Sequence, residues 1–94
     1  RTRPMAQIAS ITLLHNDDAR PIIEAILADN PGVRVLNMPG AVKLDRDDEL
    51  TIRRASVEER LGRPWDPQEI QLVLISMAGN LDEDDDHFTL SWKH

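Results

Sequence analysis

Residues 72–92, LVLISMAGNLDEDDDHFTLSW, decide how the fold is interpreted, because two apolar segments flank five consecutive acidic residues. The first segment, LVLISM at 72–77, is apolar at both odd and even positions, whereas a strand with one solvated face alternates apolar and polar residues. The second segment alternates through Phe88, Leu90 and Trp92 and predicts a strand that pairs with the first across the acidic loop. The first strand therefore has one more apolar face than a half-buried strand needs.

Two arrangements would explain this additional apolar face. If Val73, Ile75 and Met77 point away from the core, their burial against a partner protein would contribute roughly 5 to 9 kcal/mol before the costs of association, at about 1.5 to 3 kcal/mol for each large side chain. Methionine is also an adaptable residue at binding surfaces. In the other arrangement the strand is central in its sheet and helices cover both of its faces. The residues alone favour neither.

The chain before this region predicts a strand, a helix and an antiparallel meander. IASITLL at 8–14 is apolar and rich in β-branched residues, which favours a strand. Asp17 or Asp18 can cap the helix that follows, and DNPG at 29–32 ends it. Three alternating segments then predict three antiparallel strands with one face on this helix. These segments are Val33 to Val35, Val42 to Leu44 and Leu50 to Ile52.

Two short helices are predicted between the meander and the apolar strand. Ser56 and Glu59 have the spacing of a capping box, and Gly62 suits the end of the helix that they would begin. Asp66 and Glu69 repeat the capping-box spacing a few residues later. The second helix is expected to be no longer than a turn or two, because the apolar strand follows at once.

The order of these elements predicts an α+β fold, β-α-β-β-β-α-α-β-β, with small and mostly antiparallel sheets packed on short helices. Residues 1–7, RTRPMAQ, show no periodicity and are interpreted as a mobile leader. Residues 8–94 are expected to form a single domain, or two packed subdomains at 8–54 and 55–94. A chain of 94 residues is too short for an enzyme with a deep cleft and its own cofactor domain.

Composition argues against several classes of partner and chemistry. Acidic residues outnumber basic ones by 17 to 11, for a net charge of −6, and no basic stripe is present, so nucleic acid and anionic membranes are poor partners. The absence of cysteine removes disulfides, thiolate nucleophiles and iron–sulfur clusters, and is consistent with a cytoplasmic protein. No apolar run approaches the roughly 20 residues that span a bilayer.

The sequence contains no catalytic or metal-binding motif. Asp82 to Asp86 lack the glycine and the later bidentate glutamate of a calcium loop, so they are interpreted as a solvated or partner-facing loop. Together with His87 they leave a small acidic module that binds divalent metal as the alternative function. His15, His87 and His94 have no ligand spacing, and no serine lies in a G-x-S-x-G turn. No catalytic residue, metal site or cofactor is predicted.

Three segments, in this order and spacing, resemble the effector or coupling proteins of bacterial multicomponent diiron monooxygenases. They are NDDARPIIEAILADNP at 16–31, VEERLGRPWDPQEI at 57–70 and AGNLDEDDD at 78–86. The branch most similar to this sequence is the phenol hydroxylase stimulatory component. The resemblance implies a regulatory, cofactor-free protein that docks on the hydroxylase near its diiron centre. Such a protein couples NAD(P)H and O₂ consumption to hydroxylation of an aromatic, phenol-like substrate.

The resemblance also implies which residues meet the hydroxylase. Gly79 is expected to allow close approach of the partner backbone, and Asn80 to offer hydrogen bonds. Trp65 and Trp92 are expected to be core anchors. The hydroxylase is the expected partner, and the free protein is expected to be a monomer or weak dimer. The positions that match the contact segment of the family are Val73, Ile75, Ser76, Met77, Ala78, Gly79 and Asn80.

Overall fold

A computed structural model describes residues 8–91, so the predicted leader at 1–7 and the predicted anchor Trp92 lie outside the described residues. Within that range the α+β class is confirmed, with one strand more than predicted. The elements are β1 (Ile8–Leu14), α1 (Arg20–Asp29), β2 (Arg34–Met38), β3 (Ala41–Asp47), β4 (Glu49–Arg53), α2 (Arg54–Leu61), a 3₁₀ helix (Pro67–Leu72), β5 (Leu74–Ala78), β6 (Asn80–Glu83) and β7 (His87–Ser91).

The strands form two antiparallel sheets. Sheet A has the order β2-β3-β1-β5, and sheet B has the order β4-β7-β6. The predicted three-stranded meander is wrong, because β4 leaves β3 and joins the other sheet. The predicted pairing of β7 with the apolar strand is also wrong: Phe88 and Leu90 pair with Ile52 and Leu50 of β4. The apolar strand β5 pairs with β1 instead.

Two single residues, Asp48 and Gly79, carry the chain from sheet A to sheet B. Asp48 separates β3 from β4 with φ 71°, and Gly79 separates β5 from β6 with φ 129°. Both lie at the same end of the molecule, because Glu49 and Asn80, the residues that follow them, both pair with Ser91. Each of the segments 8–54 and 55–94 consequently contributes strands to both sheets.

One hydrophobic core lies between the sheets and helices. Trp65 is buried in it, which confirms its predicted role as an anchor. The core unites side chains from sheet A, sheet B and every helix, including Ile11, Leu13, Leu44, Leu50, Ile52, Phe88, Leu90, Ile22, Ile26, Val57, Trp65 and Ile70.

Buried Asn30 fastens the end of α1 to sheet B. Its side-chain Nδ2 donates to the Ile26 carbonyl at 2.8 Å and to the Thr51 carbonyl at 2.7 Å, and its Oδ1 accepts from the Thr51 N–H at 2.8 Å. Thr51 lies in β4, an edge strand of sheet B. The N–H and carbonyl of Thr51 that bond Asn30 point away from β7, where no other strand of the sheet lies beside them. The Asn30 amide thus supplies the donor and the acceptor that a neighbouring strand would supply.

The helix starts differ from the sequence prediction. Asp17 and Asp18 do not cap α1; Asn16 Oδ1 accepts from the Ala19 N–H at 2.9 Å, and Asp17 pairs with Arg20 on the surface. The capping box predicted at Ser56 and Glu59 is also wrong, because β4 runs directly into α2 at Arg54.

The remaining helix signals are confirmed. The capping box of Asp66 and Glu69 is present at the start of the 3₁₀ helix, with the Asp66 carboxylate accepting from the Gln68 N–H at 2.9 Å. Gly62 ends α2 in the left-handed conformation, with φ 79°.

Candidate docking edge

Strand β5 is an open edge of sheet A. Within residues 8–91 it pairs with β1 alone, and its sequence LISMA has neither the charge nor the proline that commonly protects a sheet edge. Ile75 is 51% exposed and Met77 is 38% exposed. We call β5, Gly79 and β6 together the docking edge.

A β-bulge decides which apolar residues of β5 reach the surface. Leu74 pairs with Leu13 and Ser76 pairs with Thr12, so Ile75 is an additional residue opposite β1. The bulge breaks the alternation from which Val73, Ile75 and Met77 were predicted to share a face.

Val73 is 2% exposed and belongs to the core, contrary to the prediction that it meets a partner. Its N–H donates to the Ile70 carbonyl at 3.0 Å, and its carbonyl accepts from the Leu14 N–H at 2.8 Å. The backbone of Val73 is therefore engaged on both sides, and its side chain is unavailable. The predicted positions that remain accessible are Ile75, Ser76, Met77, Ala78 and Asn80.

Gly79 packs against β7 within the protein. A Cβ at this position would lie 3.4 Å from the Ser91 backbone nitrogen and 3.5 Å from the Leu90 Cβ. Its φ of 129° lies in a region that residues with a Cβ rarely adopt. Gly79 therefore lets β5 turn into β6 against β7, and Asn80 is the exposed residue that begins β6.

Leu81 is an apolar residue of the docking edge that sequence reasoning missed. It lies in β6, pairs with buried Leu90 and is 39% exposed. The acidic residues that follow it suggested a loop and concealed the strand. The alternation of Leu81 with its polar neighbours Asn80 and Asp82 was the one signal that could have revealed it.

The acidic run is partly structural rather than only a solvated loop. Asp82 and Glu83 lie in β6, and the Asp84 Oδ1 accepts from the backbone N–H groups of Asp86 and His87 at 2.8 and 2.9 Å. These two hydrogen bonds, the Asp86 bond first, lower the pKa of the Asp84 carboxyl, and His87 Nδ1 lies 3.0 Å from the same oxygen. Asp84 thereby fixes the turn between β6 and β7.

A polar network ties this turn to the core. The Arg54 N–H donates to the Asp86 carbonyl at 2.7 Å, and its guanidinium bonds the Asp85 carbonyl and the Glu58 carboxylate. The same Glu58 oxygen accepts from the Trp65 N–H at 2.7 Å, and this bond, followed by the one from Arg54, lowers the pKa of Glu58. The Glu58 hydrogen bond in turn raises the pKa of Arg54.

This network borders a groove of about 640 Å³ beside β4, α2 and β7. Its Arg54 and Glu58 already bind each other, which is the arrangement of a structural ion pair rather than of an acid and base awaiting a substrate. Across residues 8–91, no three histidine, aspartate or glutamate side chains are placed to share a metal ion. Asp82 to Asp86 with His87 therefore give the metal-binding alternative no geometric support in this part of the chain.

The helices of the described residues are short. The longest has 10 residues, and none combines the length and apolar character needed to cross a bilayer.

Two curated relatives cover most of the chain. The stimulatory component DmpM of phenol 2-monooxygenase from Pseudomonas sp. (strain CF600) is 44% identical over 90 residues, which are 96% of this chain and 100% of the relative. The effector subunit of the alkene monooxygenase system from Xanthobacter autotrophicus (strain Py2) is 32% identical over 79 residues, 82% of this chain and 78% of the relative.

Solved structures match the fold. A chain from a phenol hydroxylase–regulatory protein complex superposes with a TM-score of 0.89 at 44% identity, covering 93% of this chain and all of the other. The soluble methane monooxygenase regulatory protein B, at 20% identity, shares the fold with a TM-score of 0.75 over 99% of this chain and 70% of its own. A family profile described as MmoB/DmpM matches residues 7–91. The chain belongs to the MmoB/DmpM family.

Proposed function

We propose that this protein is the non-catalytic effector component of a multicomponent diiron monooxygenase. It docks on the hydroxylase component near the diiron centre and couples NAD(P)H and O₂ consumption to substrate hydroxylation. The observation that carries the proposal is the match, along nearly the whole chain, to a protein found in a complex with phenol hydroxylase. The stimulatory role of the 44% identical relative supports the same conclusion.

The effect of such a protein is a shift between hydroxylase conformations. An effector that contributes no reacting group changes the reaction by binding one conformation of the hydroxylase more tightly than another. The shift cannot exceed the difference between those two binding free energies. Effector and substrate then influence each other's affinity for the hydroxylase by the same factor.

The substrate that we propose is aromatic and phenol-like. The relative that acts with phenol 2-monooxygenase is 44% identical, and the relative from the alkene monooxygenase system is 32% identical. A cytoplasmic location accompanies this role in the proposal, and a sequence without cysteine is consistent with it. The free protein is a monomer or weak dimer in this proposal.

The docking edge supplies the contact surface in this proposal. Ile75, Met77 and Leu81 are exposed on two consecutive strands joined by Gly79. Each is already partly covered, so burying the remainder contributes about 2 to 4 kcal/mol. A micromolar complex requires about 8 kcal/mol after the costs of association, so the docking edge needs contacts elsewhere on the protein.

Reconstitution tests the function. Hydroxylase, reductase and NAD(P)H are assayed with phenol, with and without this protein, and the product formed per NAD(P)H oxidised is measured. We expect the ratio to rise with the effector and to saturate with its concentration. An unchanged ratio at every stoichiometry contradicts the proposal.

Met77→Asp tests the docking edge in the same assay. A charge among its apolar contacts is expected to abolish the stimulation, because the carboxylate must lose its water on docking. Leu36→Asp is the matched control, since Leu36 is 54% exposed on β2 at the opposite edge of sheet A. Equal stimulation by the two folded variants would move the contact surface away from β5.

A further inference from the structure

A second apolar feature lies next to the docking edge along the chain. A cavity of about 120 Å³ opens between α1, α2 and the 3₁₀ helix, and we call it the Trp65 groove. Its floor consists of core side chains, each at most 3% exposed: Ile22, Val57, Trp65 and Val73. The backbone N–H of Trp65 already donates to Glu58, so it does not require a hydrogen-bond acceptor from an occupant.

The rim of the groove is exposed and leads directly into β5. Leu72 stands on it and is 75% exposed, more than any other large apolar residue of the described chain. The next residue, Val73, lies in the floor, and Leu74 begins β5. An exposed leucine beside an apolar floor offers apolar contacts on two sides to one side chain of a partner.

The volume of the groove limits what it can hold. Drug-sized ligands occupy pockets of roughly 300 to 1,000 Å³, whereas a dry apolar cavity of about 150 Å³ accommodates a benzene molecule. A cavity of about 120 Å³ is therefore suited to one leucine or methionine side chain.

Charge at the rim indicates what surrounds that side chain. Arg63 lies 3.6 Å from Glu69, and Asp18 has no ion-pair partner within residues 8–91. The rim therefore has one net negative charge, which favours a lysine or arginine beside the inserted side chain.

We propose that the Trp65 groove receives one large apolar side chain of the hydroxylase, and that Leu72 packs against it at the rim. This inference rests on the proposed function and supplies the contact that the docking edge lacks. A side chain held in a pocket and shielded from water is the kind of contact that dominates many interfaces.

The chain contains no cysteine, so single cysteines can map both surfaces. Leu72→Cys reports on the groove, Ser76→Cys on the docking edge and Leu36→Cys on the distant edge strand β2. Each variant is alkylated with iodoacetamide, with and without hydroxylase, and the mass of this chain is followed with time. We expect the hydroxylase to slow alkylation at positions 72 and 76 at least tenfold and to leave position 36 unchanged.

The outcomes separate this inference from the proposed function. Protection at position 76 without protection at position 72 overturns the inference and leaves the function standing. If neither position is protected and product per NAD(P)H is unchanged by the wild-type protein, the proposed function itself fails. Protection at position 72 by phenol alone, without hydroxylase, also overturns the inference, because the groove would then hold a small aromatic molecule.

Binding measured by titration calorimetry gives a second test. Leu72→Asp is expected to weaken binding to the hydroxylase at least tenfold, and Leu72→Ala by a smaller factor. Leu36→Asp is expected to bind like the wild type. Affinity of the folded Leu72→Asp variant within twofold of wild type would overturn the inference.

Discussion

Strands β4 and β5 are both edge strands, but the open side of β4 is covered by a side chain and the open side of β5 is not. The amide of Asn30 covers the backbone of β4 at Thr51, and the side chains around it are buried in the core. No such cover lies along β5 within residues 8–91, and apolar Ile75 and Met77 remain exposed there. The contrast shows that one side chain is enough to close a sheet edge at β4, whereas the edge at β5 is left open in the described residues.

The largest effect on stability is expected from a substitution that uncovers the edge of β4. Asn30→Ala removes the donor and acceptor that serve Thr51 and leaves part-buried peptide groups without partners, so we expect a loss of about 2 to 4 kcal/mol in the free energy of unfolding. Urea denaturation measures this loss.

Asn37→Ala is the control for that measurement, because Asn37 is an exposed asparagine on the edge strand β2. It is expected to change the free energy by less than about 0.5 kcal/mol. Equal effects at positions 30 and 37 would show that the closure of β4 does not depend on Asn30.

The next effect tests the passage from β5 to β6. Gly79→Ala places a Cβ 3.4 Å from the Ser91 nitrogen at a φ of 129°, so we expect a loss of about 2 to 3 kcal/mol in the free energy of unfolding. Gly32→Ala is the matched control: its φ is 82°, and no atom lies within 4 Å of the added Cβ.

For Gly32→Ala the expected loss is about 1 kcal/mol, from the backbone conformation alone. The difference between the two variants then measures the additional strain of φ 129° together with the van der Waals contact that the Cβ makes with β7. No difference would show that the chain between β5 and β6 accepts a Cβ as readily as the turn at Gly32 does.

A smaller effect, dependent on pH, tests the turn that ends β6. The pKa of Asp84 is lower in the fold than its ordinary 3.8, so its ionised carboxylate stabilises the protein above that pH. This contribution is lost as the pH falls through the lowered value. Asp84→Asn keeps an oxygen acceptor but removes the charge, so it is expected to lower the Tm at pH 6 and to approach the wild-type Tm near pH 2.

Asp85→Asn is the control, because the Asp85 side chain makes no hydrogen bond to the described residues. Its backbone carbonyl, which accepts from Arg54, is unchanged by the substitution. Its Tm should follow that of the wild type more closely between pH 2 and 6. A constant gap between the wild type and Asp84→Asn across this range would contradict the assigned role of the carboxylate.

The smallest expected effect on stability belongs to the open edge. Ile75→Lys changes a half-exposed residue in the bulge, so the free energy of unfolding is expected to change by less than about 0.5 kcal/mol. The same variant is expected to lose stimulation of the hydroxylase. Thermal denaturation checks that the variant is as stable as the wild type, and the coupling assay checks that it no longer stimulates the hydroxylase. Unfolding of Ile75→Lys would show that position 75 is needed for the fold and would contradict the assignment of β5 as an open edge.

Local signals predicted most elements, because they depend on neighbouring residues. The capping box of Asp66 and Glu69 and the left-handed Gly62 are sequence features that the structure confirms. The assembly of the sheets could not be predicted in this way. Asp48 and Gly79 each move the chain to another sheet in one residue, where a turn between neighbouring strands is the ordinary expectation.

The candidate site was also predictable only in part. The doubly apolar pattern left open whether Ile75 and Met77 face outward, and the family resemblance placed them on the contact surface; both are exposed. Val73 was assigned to the surface although it is buried. A single bulge residue moves the side chains that precede it in the strand to the other face of the sheet. Leu72 was assigned to the strand, and its place on the rim of the Trp65 groove depends on how α1 and α2 pack, which no local pattern encodes.

The two one-residue passages at Asp48 and Gly79 also determine where this chain can change length. An added residue at either passage would displace β4 or β6 along β7 and move Leu50 or Leu81 to the opposite face of sheet B. The turn at Pro39 and Gly40 is equally constrained, because it is a two-residue hairpin that pairs Met38 with Ala41. The stretch from Gly62 to Pro64 lies between two helices and has no such constraint. Insertions and deletions among related proteins are therefore expected between Gly62 and Pro64, while the spacing from β3 to β4 and from β5 to β6 stays fixed.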